Sequence, residues 1–259
     1  MSFKLYKKHE YTIFQYVINI LGIVGLFYAV YMSEWLLLFV SFVLHMIYKL
    51  FANNIALHRY FSHKSFNTTQ LKHKFLCWSS ILMGAGSPVL FASAHRHHHR
   101  YSDTEKDLHG PDQGYIKTVY WDLIPSTTSR VKQFAFDVYK DPTAALVHKW
   151  YYVIWYSAIV ITFLIHPYIT IFGLLLPHVI YRWHAATIVN IFTHLPLKSN
   201  YRTYETKDRS MNNKVLGAWA LGEAYHNNHH GKPNEYNFAH GPGEFDLTAW
   251  VIKRYFYKV

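Results

Sequence analysis

Residues 11–32 read YTIFQYVINILGIVGLFYAVYM and contain no charged side chain. A helix of about 20 such residues crosses the hydrocarbon core of a bilayer, so this run predicts a membrane span. A second apolar run, WLLLFVSFVLHMIY, begins at Trp35 after only Ser33 and Glu34. It continues past Lys49 if that amine reaches the interface along its own apolar stem. Two spans joined so tightly form a helical hairpin. The pattern returns in WYYVIWYSAIVITFLI (150–165), a break at His166-Pro167, and YITIFGLLLPHVIY (168–181), which runs on toward His194. A secretory signal fits the first run less well, because its apolar core is shorter and here a second span follows at once. The expectation is an all-α membrane protein with four transmembrane helices in two hairpins, at about 11–32, 35–54, 150–165 and 168–192. Residues 55–149 and 193–259 then form a helical cytosolic cap, and 1–259 is a single integral-membrane domain.

The chain is 51% hydrophobic and 19% aromatic, which suits a lipid-embedded bundle with aromatic belts. Apart from Arg182, every Lys and Arg lies in the N-terminal tail, the 49–149 block or the 198–259 tail. Short cytoplasmic segments retain such residues, so both termini and the cap are expected on the cytoplasmic side, of an endoplasmic reticulum or of a bacterial or host membrane. Arg182 alone requires a buried or cavity-facing explanation. The net charge of +11 is spread over segments flanking the spans, without a nucleic-acid-binding module. It suits anionic headgroups or a phosphorylated substrate. A single cysteine, Cys77, excludes an intrachain disulfide, a four-cysteine zinc site and an iron–sulfur cluster held by this chain alone.

Nineteen of the 259 residues are histidine. The dense groups are HRYFSH (His58, His63), HRHHH (His95 to His99) and HNNHH (His226, His229, His230), all on the predicted cytoplasmic side. The last two share the spacing H-x-x-H-H, which brings three imidazoles to one helix face and predicts that they converge on a common point. His97 lies about 200° round from His95 and should face away. His58 and His63 are about 140° apart on a regular helix, so one of them should sit where a helix ends. NIFTH sets Asn190 and His194 at i and i+4. With His194 the candidate ligands are nine, too many for one ion and suited to two. Imidazole without thiolate fits zinc, copper, iron or nickel, whereas calcium and magnesium need oxygen ligands.

HRYFSH, HRHHH with the following RYSDTEKDLH, NIFTH and GEAYHNNHH resemble the histidine boxes of the membrane-bound fatty acid desaturases, particularly the acyl-CoA delta-9, stearoyl-CoA desaturase-like branch. The resemblance runs in order from about Tyr11 to Phe238 and includes the lead-in GSPVLFASAHR. It implies two iron ions held by His58, His63, His95, His98, His99, His194, His226, His229 and His230, with Asn190 reaching an iron through water. It also implies use of dioxygen to place a cis double bond in a fatty acyl-CoA or acyl-lipid chain. The two electrons must come from an external donor, cytochrome b5 or a ferredoxin, since the chain has no G-x-G-x-x-G turn, cysteine cluster or haem-type His-Pro-Gly motif. Two positions depart from the family pattern. The usual Asp-Pro-His is Asp107-Leu108-His109, and Val119 stands where a histidine is common; both weaken inferences about headgroup contacts rather than about iron. A related diiron hydroxylase would oxygenate its lipid instead, and a non-catalytic metal carrier would place its ligands within the spans.

The other histidines have plainer readings. His45 and His178 are expected to bond between helices, and His73, His148, His166 and His184 to pack at interfaces. His109 and His240 stand near the boxes as possible outer partners of the ligands. Asp103, Asp107 and Glu223 are candidates to orient ligand rings or to be solvated. Glu223 with His226 also mimics the Glu-x-x-His of soluble diiron bundles, but in one copy where two are required.

Overall fold

The computed structural model describes residues 8–107, 110–116, 118–119 and 127–258. The first helix, α1 (Lys8–Tyr31), ends in a turn in which Ser33 adopts φ 57° and Glu34 N–H returns to the Ala29 carbonyl. Trp35 then starts α2, regular over Trp35–Tyr48 and π-wound over Lys49–Ser62, so that the helix runs to Ser62 without interruption. Next come α3 (Gln70–Ser79, tightening to a 3₁₀ turn at Ser80–Met83) and α4 (Pro88–Tyr101), capped by Thr69 and Ser87. Two short helices, α5 (Thr128–Phe134) and α6 (Phe136–Lys140), precede α7 (Pro142–Ile165), whose Asp141 cap and Pro142 mark its start. The following helix, here α8, passes through a π segment Ile169–Leu175, a regular segment Leu176–His184 and a second π segment Ala185–Ile191, then ends in a 3₁₀ turn at Phe192–His194. Short helices α9 (Lys214–Trp219), α10 (His226–Gly231) and α11 (Leu247–Val251, π-wound on to Phe256) complete the cap. Extended pairing among the described residues is confined to isolated bridges of Asn212 with Tyr201 and Tyr225.

Helices over Thr12–Tyr31, Trp35–Ser62 and Pro142–Ile165 are long and apolar enough to cross a membrane. Their outer faces expose large apolar side chains, among them Val24 and Phe27 on α1, Leu36 and Phe39 on α2, and Val160 and Leu164 on α7. In water such a surface would be a liability; in lipid it is the solvated state. The expected fourth span, α8, is helical but more polar than the others, and its position accounts for this. It packs against α1, α2 and α7, and buries His178, Arg182 and His184. Polar side chains survive in a span when they face the bundle rather than lipid. His184 Nδ1 lies 2.8 Å from His45 Nε2, and His178 bonds Asn19 and the Met83 carbonyl, so both expected interhelical histidines are such contacts. Arg182 is likewise buried.

Both hairpin turns lie at one end of the bundle, since the Tyr168 hydroxyl reaches Glu34 at 3.0 Å and Tyr28 at 3.1 Å. One expectation fails at the other end. Lys49 does not reach an interface: it is fully buried and donates to the Ala220 carbonyl at 3.2 Å. The cap covers that helix end and supplies an acceptor, so the amine has no need of water.

α3 and α4 meet at 78°. Gly84 (φ 72°) and Gly86 (φ 107°) form the bend, and it is tied into the bundle by Gln15 donating to the Gly84 carbonyl and by Gly86 N–H donating to the Tyr151 hydroxyl. Left-handed φ at both positions favours glycine. The bend directs α4 against the π-wound end of α2.

α1 and α8 approach closely at Gly22, where an added Cβ would meet Val179 Cγ2 at 2.5 Å and the Leu175 carbonyl oxygen at 3.0 Å. At Gly25 the nearest obstacle is Ile171 Cγ2 at 2.8 Å, which belongs to a side chain that can rotate. Gly22→Ala is therefore expected to cost about 1–3 kcal/mol of overpacking and Gly25→Ala less, seen as a larger fall in detergent Tm for the first. Equal shifts would refute this account of the contact.

Candidate metal centre

The local winding of each helix sets where its imidazoles point. Five residues on a regular helix put His58 and His63 on different faces, but the end of α2 is a π-helix, whose i→i+5 bonding places residue i+5 beside residue i. His63 N–H bonds the His58 carbonyl at 3.1 Å, His63 caps the helix, and the two rings stand 5.0 Å apart. The expectation that one of this pair sits at a helix end holds. α4 delivers His95, His98 and His99, α10 delivers His226, His229 and His230, and the 3₁₀ turn after α8 delivers His194.

These nine rings are buried or half-buried and form two adjoining groups. The donor atoms of His58, His63, His95, His99 and His229 lie within 4.8 Å of one another, and so do those of His98, His194, His226 and His230. The groups adjoin where His99 and His230 stack at 4.3 Å. The H-x-x-H-H triplets therefore do not each converge on one point, as their spacing first suggests. Positions i and i+4 lie about 40° apart round a helix, while i+3 and i+4 lie about 100° apart. In α4 the i, i+4 pair joins the first group and His98 the second; in α10 the pair joins the second group and His229 the first. Each helix thus bridges both groups.

The donor set fits metal ions. In the first group Nε2–Nε2 separations are 2.7 Å for His63–His95, 3.1 Å for His95–His99, 2.8 Å for His99–His229 and 3.0 Å for His58–His229. Two nitrogens bound at right angles, each about 2.1 Å from one ion, are about 3 Å apart. In the second group His194 Nε2, His230 Nε2 and both nitrogens of His226 are buried without a hydrogen-bond partner, a cost that an ion would relieve. Burial, followed by repulsion from neighbouring rings, holds His63, His226 and His229 well below the ordinary histidine range. Burial pushes His230 down to about 4 although Asp208 pulls it upward. His63, His226, His229 and His230 are thereby kept neutral at physiological pH, the state in which an imidazole binds metal.

Carboxylates orient four of the rings from behind. His58 Nδ1 lies 2.6 Å from Glu223, His98 Nδ1 2.9 Å from Asp107, His194 Nδ1 3.0 Å from Asp103 and His230 Nδ1 2.9 Å from Asp208. An N–H donated backward fixes the tautomer and leaves Nε2 as the donor to metal. Burial alone would raise the Glu223 carboxyl, but His58 and Arg59 outweigh it and hold it at about 2. Asp103 is likewise held at about 2, with His194 and Arg209 overcoming its burial. Asp103, Asp107 and Glu223 were candidates from the sequence; Asp208 was not, because no spacing links it to a box that begins eighteen residues later.

Further positioning residues are legible only in three dimensions. Arg59 is fully buried, bonded to Glu223 and Asp246 at 2.9 Å each and to the Tyr236 carbonyl at 2.6 Å, with its guanidinium 3.9 Å from the Phe238 ring centroid. Arg96 spans from the Phe61 and Ser62 carbonyls at the end of α2 to Asp137, tying the first two boxes together. Asn227 accepts from Thr203 and Tyr204 N–H, and Asn228 binds Asn212, Phe238 and Glu244, so the asparagines within HNNHH anchor α10.

The remaining histidines stand apart. His97 packs on Tyr101 and Phe134 and belongs to neither group. His240 is engaged by Tyr204, Asn237 and Glu235, and His148 by Ser87. His166 is exposed in the second hairpin turn and accepts from Tyr168 N–H. Asn190 is half-buried four residues before His194, in the second π segment rather than on a regular helix. Val119 is fully buried, while Leu108 and His109 lie outside the described residues.

A helical, membrane-compatible bundle with paired histidine clusters at one end defines a class of membrane-bound dimetal proteins. Comparison with known proteins narrows it: the model of the fatty acid desaturase family matches residues 13–238, and the chain belongs to that family. An sn-1 stearoyl-lipid 9-desaturase of Anabaena variabilis is 29% identical over 85% of this chain and 80% of its own length. An acyl-CoA C20 delta5-desaturase of Anemone leveillei is also 29% identical, over 85% of this chain and 71% of its own. A delta-9 desaturase-like 5 protein of Arabidopsis thaliana is 25% identical over 85% and 74%. These names include both 9- and 5-desaturases, so the likeness reaches the family and not the delta-9 branch.

The buried neutral rings make a pH prediction for metal-stripped protein. Unfolded histidines take up protons near pH 6.5 while these rings resist them, so the unfolded state binds more protons and stability falls as pH drops. The Tm of stripped protein should decline progressively from about pH 6.5 downward. Bound metal should blunt the decline. A stripped Tm unchanged between about pH 7 and 5 would contradict the assignment.

Proposed function

We propose that this desaturase holds two iron ions, one by His58, His63, His95, His99 and His229 and the other by His98, His194, His226 and His230, with Asn190 reaching an ion through water. The observation that carries the reading is the division of nine crowded imidazoles into two adjoining groups whose nitrogens face inward. Imidazole donors without thiolate suit iron. An unactivated methylene has no acidic proton and no leaving group, so side-chain acid–base chemistry has no starting point. Bound, the irons would supply the redox chemistry with dioxygen that takes two hydrogens from adjacent methylenes, leaving a cis double bond and water. The residues of the chain supply orientation: Glu223, Asp107, Asp103 and Asp208 set four ligand rings, and the spans offer the acyl tail an apolar surround.

The substrate we propose is a fatty acyl-CoA or an acyl-lipid, desaturated at the delta-9 position in unsaturated lipid biosynthesis. The Anabaena relative, a stearoyl-lipid 9-desaturase, supports that position. Two electrons come from an external donor, cytochrome b5 or a ferredoxin. The distribution of Lys and Arg supports placing both termini and the metal centre on the cytoplasmic side, of an endoplasmic reticulum or of a bacterial or host membrane.

Expression in cells lacking delta-9 unsaturation, followed by lipid analysis with double-bond mapping, tests the reading. Delta-9 monoenes are expected. Double bonds elsewhere would overturn the position, and hydroxylated chains would assign a sister diiron hydroxylase instead. In the same assay His98→Ala should abolish product and lower iron content, whereas His97→Ala, which removes only a ring packed on Tyr101 and Phe134, should largely spare both.

A further inference from the structure

Away from the histidine clusters, three more metal-binding side chains meet where α3 passes the start of α7. His73 and Cys77 lie one turn apart on α3, and Asp141 caps α7. His73 Nε2 is 3.5 Å from Cys77 Sγ and 3.2 Å from each carboxylate oxygen of Asp141, and the three ligand atoms lie within 4.8 Å of one another. Cys77 is fully buried and His73 nearly so, while Asp141 is partly open to solvent.

Hydrogen bonding alone is a poor account of this geometry. A single N–H cannot point at two oxygens and a sulfur together, and 3.2 Å exceeds the roughly 2.7–2.9 Å of a charge-assisted N–H···O bond. A tetrahedral ion accounts for the separations better. A thiolate about 2.3 Å from zinc and an imidazole nitrogen about 2.0 Å from it are about 3.5 Å apart, and that nitrogen and a carboxylate oxygen are about 3.3 Å apart. The Tyr60 hydroxyl lies 2.9 Å from His73 Nδ1, on the opposite edge of the ring, where an outer partner fixes Nε2 toward a metal. The open side of Asp141 leaves room for water as the fourth ligand.

We propose that His73, Cys77 and Asp141 form a third, mononuclear site for a borderline-soft divalent ion of the zinc class, fastening α3 to the N-terminus of α7. The thiol distinguishes this site from the imidazole clusters, since thiolate ligands select softer ions. On binding, the Cys77 thiol gives its proton to solvent as the metal–sulfur bond forms, and neutral His73 donates its lone pair without proton loss. The consequence is mechanical. α3 leads through the Gly84–Gly86 bend into α4, so a clamp at its base steadies the helix that bears His95, His98 and His99.

Because Cys77 is the chain's single cysteine, any thiolate–metal signal reports this site and is independent of the iron assignment. Full-length protein in detergent, titrated with cobalt(II), should develop a thiolate-to-cobalt charge-transfer band in the near ultraviolet. The band should persist in His98→Ala and vanish in Cys77→Ser. Asp141→Asn keeps a competent helix cap, since asparagine caps as well as aspartate, yet should lower cobalt affinity at this band by more than about tenfold. Absence of the band from the wild type, or equal affinity in Asp141→Asn, overturns the site. Should Cys77→Ser not fold, the wild-type band and the Asp141→Asn titration decide it.

Discussion

An imidazole turns about two single bonds, and a ring gripped from behind is fixed in the direction of its lone pair. In this protein the grip on His58 is a buried chain of charge: Glu223 holds the ring, Arg59 holds Glu223, and Asp246, the cap of α11, holds Arg59. A full guanidinium in a site without solvent is tolerable only with both carboxylates and the Tyr236 carbonyl around it. The same chain joins α2 to the C-terminal helix, so the orientation of a candidate ligand and the closure of the cap depend on one set of contacts. Asp103, Asp107 and Asp208 repeat the arrangement on rings of the second group, more simply.

The membrane part serves that geometry. α8 packs against α1, α2 and α7, and its buried face carries histidines and an arginine through the bundle to His194. The hairpin turns meet at one end through Tyr168 and Glu34, which leaves the opposite ends of α2 and α8 to the histidines. The bend at Gly84 and Gly86 then lays α4 across them. Irregular winding has a use at the end of α2, where the π-helix turns an unfavourable five-residue spacing into a pair of neighbouring rings.

Much of this is visible in the chain itself. The apolar runs predict the hairpins, and the nine candidate ligands come together as the box spacing suggests, with His97 turned away because it is far round the wheel. The limits are equally specific. Lys49 was expected at an interface, yet it finds the Ala220 carbonyl, a partner 171 residues away. Each H-x-x-H-H motif was expected to converge on a single point and instead serves two groups, a division contained in the helical angles but decided by what faces each angle. Asp208, Arg96 and the asparagines of α10 act through partners that no local pattern relates to them.

The sequence by itself determined the elements and the chemistry on offer: apolar length makes the spans, and the spacing of imidazoles marks the donors. Only the tertiary structure decided which donors share a centre, which carboxylate supports which ring, and that His73, Cys77 and Asp141 meet at all. The physical reason is the range of the interactions. Helical periodicity and hydrophobic burial are properties of neighbours along the chain, whereas coordination and its supporting hydrogen bonds depend on positions within a few tenths of an ångström between segments far apart in sequence.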